Sequence, residues 1–268
     1  MLTVTKAHAY GNDFLLTPVA GAAMQSPALA RSLCHRHHGI GADGLVLYEM
    51  RGLAAKMRLL NADGSWSELS GNGLRCLAAL VARSNHLEAG AAAVLIATDA
   101  GEKVLDLLAQ DGSRYTFRAD MGRPEDIQQI QIPVLGEMIT ASVLRTGNPQ
   151  CVVLGPLPDA DRFNRLAPAL STHPMFPAGT NVEFAEIETA DRIRIVIWER
   201  GVGPTTSSGT GAAASAVAAA AHGQTSRTLD VVAPGGTQRV EWMSEGLFLT
   251  GWAEIVMEGQ WLGRAGGG

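Results

Sequence analysis

The chain has 268 residues, of which 46% are hydrophobic and 18% charged, and its formal net charge is −5. This composition supports a buried core and excludes a wholly disordered chain, while the acidic balance without a basic run argues against nucleic-acid binding. No apolar run approaches the roughly 18 residues of a membrane-spanning helix, and no secretory signal pattern is present. The three cysteines are too few for a disulfide framework. We therefore expect a cytoplasmic protein with no membrane partner.

Short apolar runs bounded by Gly, Asn, Asp or Pro predict strands, and longer stretches rich in Ala and Leu predict helices. The histidine-rich run CHRHHG lacks the spaced ligand pairs of a metal site and is interpreted as a polar helix end. Strands outnumber helices, which predicts an α+β (mixed α/β) protein. In chain order the predicted elements are strand 14–16, helix 27–37, strand 45–48, helix 74–85, strands 94–96, 114–118 and 193–198, and helix 211–222.

Landmarks of the first half recur in the same order in the second half. Gly11-Asn12 recurs 136 positions later as Gly147-Asn148, and Ser-Gly-x-Gly at residues 70–73 recurs 138 positions later at 208–211. This period is too long for a solenoid repeat and suits two homologous domains of ordinary size. We expect an N-terminal half at residues 1–120, completed by 252–268, and a C-terminal half at 121–251.

Each Ser-Gly-x-Gly turn stands directly before a predicted helix. A helix N-terminus presents unpaired backbone N–H groups and partial positive charge, and glycine lets a ligand approach closely, so such a turn can hold a carboxylate or phosphate. The alternative is that Ser70 and Ser208 serve only as helix caps. Residues 209–214 also fit a dinucleotide-binding pattern, but the preceding predicted strand ends too far upstream for its tight turn.

Five asparagines stand beside glycines or at the ends of predicted strands. Each alone could be a turn residue, but together they suit a hydrogen-bonding cage for a small polar ligand. Glu199 and Arg200 follow a predicted strand, where an arginine can clamp a carboxylate and a glutamate can receive an ammonium group or a proton. Their alternative is a surface ion pair. The five are Asn12, Asn61, Asn72, Asn148 and Asn181.

At these residues the sequence resembles the diaminopimelate epimerases, which are cofactor-independent isomerases of bacterial lysine and cell-wall synthesis. The resemblance implies two pseudo-symmetric domains, each a mostly antiparallel sheet wrapped around a central helix, with the active site in the cleft between them. The matching segments span nearly the whole chain: HAYGNDF (8–14), GIGADGL (39–45), NADGS (61–65), GNGLRC (71–76), GNP (147–149), GTNVEF (179–184), ERGVG (199–203) and GTGA (209–212).

The resemblance also implies a site without metal or organic cofactor, in which one group removes the α-proton of an amino acid and another returns a proton from the opposite face. The implied ligand contacts come from Asn12, Asn61, Asn148, Asn181, Glu199 and Arg200, and from the backbone N–H groups of Gly71-Asn72 and Gly209-Thr210.

The chain differs from the family at the positions that carry out proton transfer. The two catalytic cysteine positions are Ser70 and Ser208, the family's histidine is Gln150, and its second glutamate is Pro204. A serine hydroxyl is a far poorer proton abstractor than a thiolate unless it is activated. Engineered Cys→Ser changes would explain the serines alone. A natural serine branch also accounts for Gln150 and Pro204, and we favour it.

The sequence and its resemblance to the family leave three hypotheses for the function. The first is an epimerase of diaminopimelate or a related amino acid, with Ser70 and Ser208 on opposite faces of the α-carbon and Glu199 as the strongest remaining base. The second is an isomerase or racemase of the same fold that uses a carboxylate, from Glu199, Asp43 or Glu68. The third is an amino-acid-binding paralogue without turnover. In each case the partner is a small-molecule amino-acid substrate, and relatives suggest a homodimer.

Overall fold

The computed structural model describes residues 1–19, 26–67 and 70–263. It divides the chain into two compact units. Unit 1 comprises residues 1–119 and 251–268, and unit 2 comprises residues 120–250. The internal duplication itself stays a prediction. In the described ranges no helix is long and apolar enough to cross a membrane.

Unit 1 is a ring of paired strands. The strands pair in the order β17–β1–β2–β3–β4–β6–β7–β8, in which β2/β3 and β4/β6 are parallel and the other pairs antiparallel. Strand β8 pairs in turn with β17 and closes the ring. Its elements are β1 Leu2–Ala9, β2 Asn12–Pro18, α1 Pro27–Cys34, β3 Gly44–Arg51, β4 Ala54–Asn61, β5 Trp66–Ser67, α2 Gly71–Ser84, β6 Ala93–Thr98, β7 Gly101–Asp111, β8 Arg114–Asp120 and, from residue 251, β17 Leu247–Trp261.

Unit 2 repeats this kind of pairing. Its strands pair in the order β9–β10–β11–β12–β13–β15–β16–β17, where β11/β12 and β13/β15 are parallel and the other pairs antiparallel. Its elements are β9 Glu125–Val134, β10 Glu137–Arg145, β11 Pro149–Leu154, α3 Ala160–Ser171, β12 Asn181–Thr189, β13 Arg192–Glu199, β14 Gly203–Thr205, α4 Gly209–His222, β15 Thr228–Ala233, β16 Gly236–Trp242 and the start of β17.

Each unit buries one helix against its own strands. In α2 every residue from 72 to 82 is buried, and the helix contacts β1, β2, β3, β4, β6 and β7. In α4 nearly every residue from 209 to 219 is buried, and the helix contacts β10, β11, β12, β13, β15 and β16. A helix that is apolar on all sides is stable only when it is surrounded in this way. The run of alanines in α4 lets strands approach it from several directions.

The predicted helix bounds need correction at their ends. Helix α1 ends at Cys34 rather than residue 37, because His35 takes an extended conformation and the N–H groups of Ile40 and Gly41 bond back to the carbonyl of Leu33. Helices α2 and α4 begin at Gly71 and Gly209, three and two residues before the predicted starts. Helix α3 was not predicted, although Asp159 caps it as an N-cap residue should.

Candidate functional site

Ser70 caps helix α2 in unit 1. Its backbone is extended, and its Oγ accepts a hydrogen bond from the N–H of Gly73 at 3.2 Å. The cap fixes the serine at the first turn, beside the leading N–H groups of the helix. The predicted cap role is therefore real, and it places the hydroxyl beside the positive end of the helix dipole.

Asn72 and Asn12 meet through their side chains. The Asn72 Nδ2 donates to Asn12 Oδ1 at 3.0 Å, and Asn12 Nδ2 donates in turn to Asp43 Oδ2 at 2.8 Å. Arg75, one turn along α2 and only 1% exposed, donates to the Asn72 side-chain carbonyl. The structure thus joins two of the five predicted asparagines, and a buried guanidinium sets the orientation of the amide of Asn72.

An ion-pair cluster holds Asp43 in place. Arg36 bonds Asp43 at 2.8 Å and Asp13 at 2.9 Å, and Lys6 reaches Asp13 at 3.0 Å. Burial alone would raise the pKa of Asp13, but hydrogen bonds from Arg36 and Lys6 outweigh this and lower the pKa. Because Asp43 is engaged by Arg36 and Asn12, it is poorly placed to act as a free base. Glu68, the other carboxylate candidate of this half, lies outside the described residues.

Asn61 ends strand β4 and bonds within its own turn. Its Nδ2 donates to Ser65 Oγ at 2.9 Å, and its backbone N–H donates to the Ser65 carbonyl. Across the β3/β4 pair it faces Gly44, next to Asp43 in sequence. Asn61 therefore lies on the strand neighbouring the Asp43 cluster, with its amide held by Ser65.

Ser208 caps helix α4 in unit 2 as Ser70 caps α2. Its Oγ accepts from the N–H of Gly211 at 3.2 Å and lies 3.5 Å from the hydroxyl of Thr210. The Thr146 hydroxyl donates to the Thr210 carbonyl at 3.2 Å. Ser208 is only 3% exposed, more deeply buried than Ser70. The two serines thus share a cap geometry and differ in solvent exposure.

The strand ends of unit 2 bring together several predicted contacts. Gln150 Nε2 donates to Asn148 Oδ1 at 2.6 Å, and Gln150 faces Asn181 across the parallel β11/β12 pair. Asn181 Oδ1 accepts from the backbone N–H of Arg200 at 3.0 Å. The structure therefore groups Asn148 with Gln150, and Asn181 with the start of the Arg200 turn.

Glu199 and Arg200 stand at the end of β13. The Arg200 guanidinium donates to the Ala178 carbonyl at 2.6 Å. Glu199 ends β13, opposite Gly203, and its charge adds to the effect of burial in raising the pKa of Glu183. Pro204 pairs with Trp198 in the β13/β14 pair and offers no acid or base.

Sequence reasoning missed Glu183, the most deeply buried carboxyl among the described residues. It is 0% exposed, and neither of its oxygens has a hydrogen-bond partner. Burial first, and the charge of Glu199 second, raise its pKa well above the ordinary value. No local pattern marks it: the apolar residues Val182 and Phe184 alternate with it, which would predict an outward Glu183, whereas every residue from 181 to 185 is buried.

The cysteines cannot supply the missing thiolates. Cys34, Cys76 and Cys151 are all buried, and burial raises the pKa of Cys76 to about 12. A thiol held protonated at neutral pH is neither a base nor a nucleophile. Among the described residues no group of three or more His, Cys, Asp or Glu side chains is arranged to hold a metal ion.

Comparison with known proteins agrees with this architecture. The family model described as "Diaminopimelate epimerase" matches residues 4–127 and 142–259. The diaminopimelate epimerase of Desulforudis audaxviator is 41% identical, over 96% of this chain and 98% of that protein. That of Desulfitobacterium hafniense is 36% identical, over 96% and 97%. Among solved structures, a hydroxyproline epimerase from Agrobacterium vitis superposes with a TM-score of 0.70 at 17% identity, over 96% of this chain and 91% of that one.

The similarity to the hydroxyproline epimerase shows a common fold alone. The sequence identity to the diaminopimelate epimerases and the extent of the family match show common ancestry. The chain belongs to the diaminopimelate epimerase family.

Proposed function

We propose that this chain is an amino-acid epimerase that interconverts LL- and meso-diaminopimelate by moving the proton of the α-carbon. The observation that carries the proposal is the matched pair of serine caps: Ser70 and Ser208 each stand at the first turn of a buried helix, at the positions the family gives to its proton-transferring groups. Membership of the family and the names of the curated relatives support the substrate.

The reaction needs two groups. One takes the α-proton, and the other returns a proton to the opposite face, so the substrate keeps its composition and changes configuration. We assign these roles to Ser70 from unit 1 and Ser208 from unit 2. Glu199 is the strongest remaining general base, because a carboxylate accepts a proton more readily than a neutral hydroxyl does.

Binding is assigned to the amides and to the helix ends. The N–H groups of Gly71-Asn72 and Gly209-Thr210 suit the carboxylate of an amino acid at the positive ends of α2 and α4. Arg200 suits a second carboxylate, as a guanidinium binds that group in a bidentate manner. The polar frame would then be completed by Asn12, Asn61, Asn148 and Asn181.

The fold supports this assignment. We infer that each sheet wraps around one central helix, α2 in unit 1 and α4 in unit 2, since each helix is buried and contacts six strands of its own unit. This arrangement fixes the first turn of each helix, and with it the serine that caps it. We further propose a cytoplasmic homodimer that works without metal or organic cofactor and has no nucleic-acid or membrane partner.

Proton NMR in D₂O with LL- and meso-diaminopimelate and a panel of other amino acids tests the function. The proposal expects loss of the α-proton signal for diaminopimelate and interconversion of its two forms. Exchange with another amino acid alone would point to a racemase of that substrate, and a moved double bond would point to a carboxylate-driven isomerase. Binding by calorimetry without exchange would leave an amino-acid-binding protein. Glu199→Gln should lower the rate of any α-proton exchange that the chain catalyses.

A further inference from the structure

Arg75 on α2 is the largest fully buried side chain among the described residues. Burial lowers the pKa of its guanidinium, because the charged form is deprived of water, and such burial is costly. Helix α4 starts from the same kind of serine cap and is also buried, but its fifth residue is Ala213 where α2 has Arg75. A buried helix of this fold therefore does not need a guanidinium at that turn, so the arginine requires another explanation.

A series of hydrogen bonds leads from Arg75 in the core to the surface of unit 1. Arg75 donates to Asn72 Oδ1, and Asn72 Nδ2 donates to Asn12 Oδ1 at 3.0 Å. Asn12 Nδ2 donates in turn to Asp43 Oδ2 at 2.8 Å. Asn72 is buried, Asn12 is partly buried, and the side chain of Asp43 is 44% exposed. We call this series the amide chain, and Asn12 is its first member that a ligand can reach from solvent.

The residue types at its two ends fix the direction of the amide chain. A guanidinium has N–H donors and no acceptor, so the Asn72 amide turns its oxygen toward Arg75 and its NH₂ group toward Asn12. A carboxylate only accepts, so the Asn12 amide turns its NH₂ group toward Asp43. A half-turn of either amide would bring two donors together at one end and two acceptors together at the other. Both asparagines are therefore held in one orientation.

Asp43 is held firmly as the accepting end. Its Oδ2 also accepts from the backbone N–H of Asp13 at 3.1 Å, and its Oδ1 accepts from Arg36 at 2.8 Å. Because both oxygens are bound, the carboxylate cannot turn away from Asn12 without losing these bonds.

Arg75 also packs against the turn that carries Asn12. This turn joins β1 to β2 through Tyr10 and Gly11, whose φ angles are 55° and 88°. A hairpin turn of this kind favours asparagine and glycine, so the tyrosine is strained there. The guanidinium carbon of Arg75 lies 5.8 Å from the centre of the Tyr10 ring, and a Cβ on Gly251 would lie 3.4 Å from that carbon. The buried cation thus lies beside the strained residue of the turn that leads to Asn12.

We propose that Arg75 and Asp43 are positioning residues of the unit 1 half-site, which hold the Asn12 amide in one orientation for the substrate. This inference rests on the proposed epimerase function and deepens it. Within the part of the chain that the structure describes, the amide chain leaves Asn12 with one Nδ2 proton and one Oδ1 lone pair. The proton suits the carboxylate of an amino acid, and the lone pair suits its ammonium group. Asp43 therefore orients an amide and does not take the α-proton.

Arg75→Met keeps the length of the side chain and removes its donors. Arg83→Met is the matched control on the same helix, because Arg83 is 46% exposed and pairs with Glu258. We expect Arg75→Met to raise KM and the Kd of meso-diaminopimelate about tenfold and to change kcat less than about twofold, since Asn12 would bind ground state and transition state alike. The control should keep all three constants. A fall in kcat at constant KM, or no change at all, would overturn the proposal.

A double-mutant cycle shows whether Arg75 acts through Asn12. Asn12→Ala removes the amide, so adding Arg75→Met should weaken binding little further, as calorimetry with meso-diaminopimelate can measure. If the two losses of affinity multiply instead, Arg75 acts elsewhere and the proposal is wrong.

Asp43→Asn tests the other end of the amide chain and keeps the proposal testable if Arg75→Met does not fold. An amide at residue 43 can donate as well as accept, so the direction is no longer fixed and KM should rise several-fold at constant kcat. Loss of kcat at constant KM would instead make Asp43 a base, contrary to the proposal.

The side-chain NH₂ signals of Asn12 and Asn72 in the ¹⁵N–¹H NMR spectrum give a readout that does not depend on turnover. Each is assigned by its loss on substitution with alanine. Both should shift in Arg75→Met and stay in place in Arg83→Met, and unshifted signals in Arg75→Met would refute the amide chain.

Failure of the proposed function gives a different result. If diaminopimelate binds but its α-proton does not exchange, the epimerase function is wrong, while the calorimetric cycle still decides the role of Arg75. If no amino acid binds, the positioning role is wrong together with the function.

Discussion

Glu183 Oε1 lies 2.5 Å from the position that a Cβ on Gly211 would occupy. This contact joins a buried carboxyl on β12 to the first turn of α4, two elements separated in the sequence by the whole β13–β14 segment. Residue 211 must therefore be glycine because there is no room for a side chain, and not because of its backbone conformation.

Gly211→Ala should therefore destabilise the chain. The added methyl group clashes with a buried side chain, an overpacking that costs about 1–3 kcal/mol in the free energy of unfolding. Gly73→Ala is the matched control at the same position of α2, where the nearest atom is a Phe14 ring carbon at 3.4 Å. Denaturant unfolding measures both.

A double variant sharpens this prediction. Glu183→Ala removes the clashing carboxyl, so Gly211→Ala should cost much less in that background, which gives a coupling energy between the two sites. Additive effects of the two changes would contradict the contact.

Stability should respond to pH through Glu183. In the unfolded chain a glutamate ionises above a pKa of about 4.3, but in the folded chain the raised pKa keeps Glu183 protonated. The folded state then binds one more proton than the unfolded state. The resulting loss of stability is at most about 1.4 kcal/mol per pH unit as the pH rises from the unfolded toward the folded pKa.

Glu183→Leu removes this dependence. The variant should gain stability relative to the unmodified chain as the pH rises from about 5 to about 8, a window above the unfolded pKa. Because other titrating groups are common to both chains, the difference between their free energies of unfolding isolates Glu183. A difference that is constant with pH would show that Glu183 is charged in the folded chain.

The two roles of Ser70 can be separated by comparison with another cap. Ser26 caps α1 and accepts from the N–H of Leu29 at 3.2 Å, the distance also found between Ser70 and Gly73. Alanine at either residue should lower the free energy of unfolding by about 1 kcal/mol. Only Ser70→Ala should also abolish α-proton exchange. Equal activity of the two variants would reduce Ser70 to a structural cap.

Thiol reagents should leave the activity intact. The three cysteines are buried, and burial raises the pKa of Cys34 and Cys76 to about 12. Because alkylation requires an accessible thiolate, iodoacetamide should neither modify nor inactivate the native chain. The Ser70→Cys/Ser208→Cys chain should be modified at its new thiols. Inactivation of the unmodified chain would reveal a cysteine acting in the reaction.

Local patterns in the sequence predicted the strands that carry the site. The apolar runs at 45–48 and 193–198 fall within β3 and β13, since each is bounded by turn residues and buried on at least one face. Helix starts were predicted too late because glycine is a poor helix former, whereas the serine caps begin α2 and α4 at the glycines themselves.

The features that the sequence did not predict depend on contacts between residues that are far apart in the chain. Nothing local in the sequence shows that Asn72 bonds Asn12, 60 residues away, or that Arg75 is buried behind it. Only the packing of β12 against α4 shows that Glu183 is buried and lies beside Gly211. Tertiary context decides which polar residues of a half-buried strand become part of a site.

The most direct test of the account compares deuterium uptake at the α-carbon of diaminopimelate by two chains, the unmodified protein and its Ser70→Cys/Ser208→Cys variant. The account predicts that the unmodified chain exchanges the α-proton and converts the LL into the meso form, with hydroxyls at the two helix caps. Exchange confined to the double-cysteine variant would contradict serine-based proton transfer and leave an intact but disabled amino-acid site.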